Sequence, residues 1–81
     1  MEMVQLDQSI KKEWARKHHR LLRIMLDLDL SRDTMLRIVE GVNALLDNPS
    51  ECMEKTDQYI CLLQLCHTEE DVIRQLDETG L

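Results

Sequence analysis

The sequence predicts an all-α fold: a small antiparallel bundle of four helices, the first long and the last short, with residues 1–81 as one domain. Three observations carry that expectation. Fourteen Leu and five Met stand against one Trp, one Tyr and no Phe, a set that favours helix and lacks the aromatic and Thr/Val enrichment of strands. Apolar residues recur every three or four positions through four successive stretches. Two Gly and one Pro leave little turn material for a sheet.

The first helix is expected to begin between residues 4 and 9, with Asp7 or Ser9 as its N-cap. Ile10, Trp14, Leu21, Met25 and Leu28 share one face. Leu22, Ile24 and Leu26 widen that face until the last two turns are apolar nearly all round. The LDLDL alternation of residues 26–30 would suit a strand, but nothing else in the chain could pair with it. It is therefore read as the helix end.

Ser31 caps the second helix, and Asp33 suits its positive end. That helix is expected to reach about residue 47, with Met35, Ile38, Val39, Val42, Leu45 and Leu46 as its stripe. Gly41 interrupts it at a cost of about 1 kcal/mol relative to Ala, which predicts the close approach of another helix.

Asn48 caps the third helix, Pro49 takes its first position, and Glu51 is spaced to return the capping hydrogen bond. Cys52, Met53, Thr56, Ile60, Leu63 and Cys66 face inward along it. Leu62 and Leu65 fall off that stripe and give the helix a second apolar side. Thr68 caps the last helix, with Glu69, Glu70 and Asp71 in its first turn, Val72, Ile73 and Leu76 inward, and Gly80 as the stop.

Charge is unevenly placed. The net charge is −6, which argues against general nucleic-acid binding. Between residues 11 and 23, however, six basic residues oppose Glu13 alone, whereas from residue 24 onward four basic residues face thirteen acidic ones. Lys12, Arg16, Lys17, Arg20 and Arg23 fall in an arc opposite Trp14 and Leu21. Such an arm would dock an acidic protein surface or track phosphates, or simply be a solvated face. Base recognition would need Asn, Gln or Arg at a helix tip, and no such set is present.

Other chemistry is poorly supplied. Cys61 and Cys66, five apart on one helix, point about 140° from each other, so with His18, His19 and Cys52 they make a poor metal set, and no metal or cofactor is expected. Cys66 and His67 are sequence neighbours and cannot face each other as a catalytic pair. No Gly-rich phosphate loop and no isolated carboxylate pair appear. Three cysteines behind a polar start without an apolar leader core predict a reducing cytoplasm rather than a disulfide framework. Asp27 and Asp29 break the longest apolar run, so no membrane association is expected.

Eighty-one residues bury only roughly 60–65% of the surface that the unfolded chain exposes. Leu22, Leu26 and Leu30 on the first helix, with Leu62 and Leu65 on the third, exceed what one such core needs and are expected to form an apolar interface. The sequence thus predicts a non-enzymatic interaction module: a regulator, adaptor or chaperone-like binder. It would be a homodimer held by Leu-rich faces, whose basic arm meets an acidic surface or amphipathic helix of a protein partner. The alternative is a nucleic-acid-associated regulator using the same arm.

Overall fold

The computed structural model describes the backbone of residues 2–81 and the side chains of residues 11–81. Four helices follow one another: α1 (Glu2–Asp27), α2 (Arg32–Asn43), α3 (Pro49–Gln64) and α4 (Glu69–Thr79). Connections of four or five residues reverse the chain between them. Among the described residues there is no strand.

The capping residues act as expected. Ser31 accepts from the Thr34 amide at 3.4 Å, Asn48 from Glu51 at 3.3 Å and Thr68 from Asp71 at 3.2 Å. Gly80 closes α4 in the left-handed conformation at φ 74. The Asn48 amide donates to the Leu45 carbonyl at 2.9 Å, so the return bond expected of Glu51 is replaced by a backbone bond.

Two boundaries move. The backbone is already helical at Glu2, so Asp7 and Ser9 do not cap α1; the side chain of Ile10 lies outside the described residues. The early start follows from a segment without Gly or Pro to interrupt it. Helix α2 stops at Asn43, and residues 44–47 tighten into turns with i to i+3 bonds such as Leu46 N–H to Asn43 O at 3.2 Å. Pro49 forces Asn48 into extended backbone, which ends the run.

The LDLDL stretch is the closing device of α1. Asp29 sits at φ 55, the Leu30 amide reaches back to the Met25 carbonyl at 3.3 Å and the Asp29 amide to Leu26 at 3.0 Å. This is a Schellman closure with Asp in the place Gly usually takes, and Leu30 and Met25 supply its hydrophobic contact.

The closest helix pair is not consecutive. Helices α1 and α3 run in the same direction side by side. Trp14 Nε1 donates to Cys52 Sγ at 3.0 Å and Lys17 Nζ to both Asp57 oxygens at 2.9 Å. Helices α2 and α4 meet in the same way, through Ser31 N–H to the Glu69 carboxylate and Arg37 to Asp77 at 2.8 Å. All four contacts join residues 38 or 40 apart. The fully buried pairs Leu21 and Tyr59, Met25 and Leu63, and Ile38 and Leu76 repeat the separation of 38. Positions 38 apart in the first and second halves of the chain are therefore buried alike, a regularity invisible in residue identities.

Tyr59 fills the notch at Gly41. A Cβ at position 41 would overlap the Tyr59 hydroxyl and lie 3.1 Å from its Cζ. Gly41→Ala, which gains about 1 kcal/mol in helix propensity elsewhere, is expected here to destabilise by roughly 1–3 kcal/mol through overpacking, read as a lower urea midpoint.

Two carboxylates in the first turn of α4 hold its start: Glu69 ties it to the N-cap of α2, and Asp71 to the backbone just before α4. The Ser31 amide holds the Glu69 carboxyl below the usual range, and the His67 amide does the same for Asp71. Lowered native pKa values give stability that is complete above the unfolded values and lost as pH falls through about 4 and below. Glu69→Gln with Asp71→Asn is expected to flatten the acid limb of the thermal midpoint against pH and leave its neutral limb parallel to the parent.

Candidate docking surfaces

The five basic residues grouped in one arc of α1 do not stay together. With about 100° between successive residues, Lys12, Arg16, Arg20 and Arg23 fall on the outer arc, and Lys17 turns toward the core side. Lys17 accordingly forms the ion pair with Asp57 of α3 at 2.9 Å. It belongs to the fold, not to a free arm. Lys12, Arg16, Arg20 and Arg23 are exposed and have no carboxylate partner among the described residues.

The leucines divide likewise. Leu26 is 68% exposed and Leu65 81%, and Leu22 also reaches solvent. Leu30, 5% exposed, is drawn into the core by the left-handed turn at Asp29, and Leu62, 7% exposed, is covered where α4 folds back along α3. These two are core residues and are unavailable as an interface in the folded chain. The stripe pattern passes over Leu36, which is exposed, and places Leu46 and Ile73 inward, where both reach solvent; Leu46 lies past the end of α2, in the turns of residues 44–47. Their signal was weak, because each sits at the edge of a stripe whose other members are buried.

A groove of about 440 Å³ opens beside α3 and the end of α4. Cys61, Leu62, Leu65 and Leu81 give it an apolar floor, and Glu54 and Asp57 an acidic end. No sequence pattern announces it, since its walls come from α3 and from the chain end that folds back over α3.

The groups considered for chemistry lie apart. Cys66 is buried and its thiol donates to the Leu62 carbonyl at 3.3 Å, whereas His67 is exposed. Burial, with the charge of Asp71, pushes the Cys66 thiol up, the opposite of what a reactive thiolate requires. Trp14 stacks on His18 with ring centroids 4.9 Å apart. Among the described residues no group of three or more His, Cys, Asp or Glu is placed to hold a metal ion, and no helix is long and apolar enough to cross a membrane. Compared with protein-family models, curated proteins and solved structures, the chain matches none.

Burial separates the leucines into two stability classes. Leu62→Ala and Leu30→Ala are each expected to cost about 2–4 kcal/mol in urea unfolding. Leu26→Ala and Leu65→Ala should fall within about 0.5 kcal/mol of the parent.

Proposed function

We propose that this chain is a small non-enzymatic interaction module, acting as a regulator, adaptor or chaperone-like binder and working as a homodimer. The observation that supports it is the exposure of Leu26 and Leu65, the two most solvated of six exposed large apolar side chains among the described residues, outside one continuous core. Exposed apolar groups of this kind gain free energy when a partner covers them, by about 25 cal/mol per Å² removed from water. Lys12, Arg16, Arg20 and Arg23 supply a positive field beside them, which speeds encounter with an acidic partner more than it strengthens the complex. A second reading, a nucleic-acid-associated regulator, draws on the same four residues and on their lack of an ion-pair partner among the described residues.

The two readings separate experimentally. A photo-cross-linking residue at position 26 or 65, in the protein's own cell, is expected to give discrete protein adducts, the second copy of the chain among them. Leu22→Glu, one turn from position 26, should remove the adducts from that position without changing the far-UV circular dichroism. Absence of any protein adduct from both positions overturns the module reading. For the second reading, Arg16→Glu, Arg20→Glu and Arg23→Glu together would have to abolish a gel shift of duplex DNA or single-stranded RNA. That shift would also have to weaken roughly a hundredfold or more from low to physiological salt.

A further inference from the structure

We propose that two copies of the chain pair about a two-fold axis running along the helices, so that α1 of each copy lies over the α3 groove of the other. This rests on reading the chain as an interaction module and assigns the surfaces and the partner.

The Lys17–Asp57 pair marks one rim of the seam between α1 and α3. Residues three, four or seven positions away share a flank of a helix. On that rim Arg20 and Ile24 follow Lys17 along α1, and Arg16 lies beyond them toward solvent. Along α3, Glu54, Cys61 and Leu65 follow Asp57, and all four line the groove. One side of the molecule therefore carries Arg16 and Arg20 of α1 beside Glu54 and then the apolar Cys61 and Leu65 of α3, with Lys17 and Asp57 already paired between the two rows.

A two-fold axis parallel to both helices turns that side onto itself. It sets the basic row of each copy over the acidic row of the other, twice in one dimer. It also leaves every residue at its own height along the axis. The separation of 40 between Lys17 and Asp57 then fixes the register. Arg16 and Arg20 of the second copy stand level with the Glu54 and Asp57 end of the groove, and Ile24 with Leu65. Charge meets opposite charge at one end, and apolar surface meets apolar surface at the other. The pairing covers Leu65 and leaves Leu26 outside for another partner.

Sedimentation equilibrium tests this with two exposed double variants. One carries Arg16→Glu and Arg20→Glu, the other Glu54→Arg and Gln58→Arg. The parent is expected to dimerise, and more weakly as salt rises. Each variant alone should lose at least about tenfold in dimer affinity, while an equimolar mixture should regain it as a heterodimer, because both contacts are then attractive. A parent that stays monomeric at high protein and low salt overturns the pairing, as does a mixture no tighter than its components. A parent dimer that both variants leave unchanged also overturns it. That last result would leave the module reading intact, with cross-links from position 26 as its separate check.

Discussion

The structure depends on the docking of α1 against α3. These two helices run in one direction, although only chain-reversing connections separate consecutive elements. Their contact can therefore form only after α2 has carried the chain back to the level of Trp14. Leu21 and Met25 from one side and Tyr59 and Leu63 from the other are fully buried in it. Each such side chain contributes about 1.5–3 kcal/mol relative to exposure. The Lys17–Asp57 pair at its rim, with both side chains partly solvated, adds at most about 1 kcal/mol. The apolar faces hold the seam and set its register; the ion pair lies along its rim.

Much of this was legible in the sequence because it is local. A cap needs one side chain and an amide three residues on, so Ser31, Asn48 and Thr68 could be read directly. Gly41 announced a close neighbour, and Tyr59 is that neighbour. What depends on distant segments was not legible. A helical stripe tells which positions are apolar, not which of two apolar sides another helix will cover, so Leu62 looked free and is buried. Leu30 looked like the end of an exposed run, because the fold of Asp29 into left-handed backbone cannot be inferred from a residue that is not Gly. Lys17 was grouped with its basic neighbours by composition, yet it sits over the seam.

The division of the basic residues separates what the fold uses from what it leaves over. Lys17 is committed to α3. Lys12, Arg16, Arg20 and Arg23 are not needed for any internal contact among the described residues, and the same holds for Leu26 and Leu65, which stand in solvent. Changes at these positions act on association and leave folding nearly untouched, so surface properties and core properties are set by different residues on the same helix.

The two halves of the chain, α1 with α2 and α3 with α4, bury equivalent positions. Each half is a contiguous segment that lacks only the other half's side of the core. The peptide link across residues 44–48 then serves mainly to keep the halves at high local concentration. Severing it is then expected to leave two fragments that reassemble through the contacts α3 makes with α1 and α2.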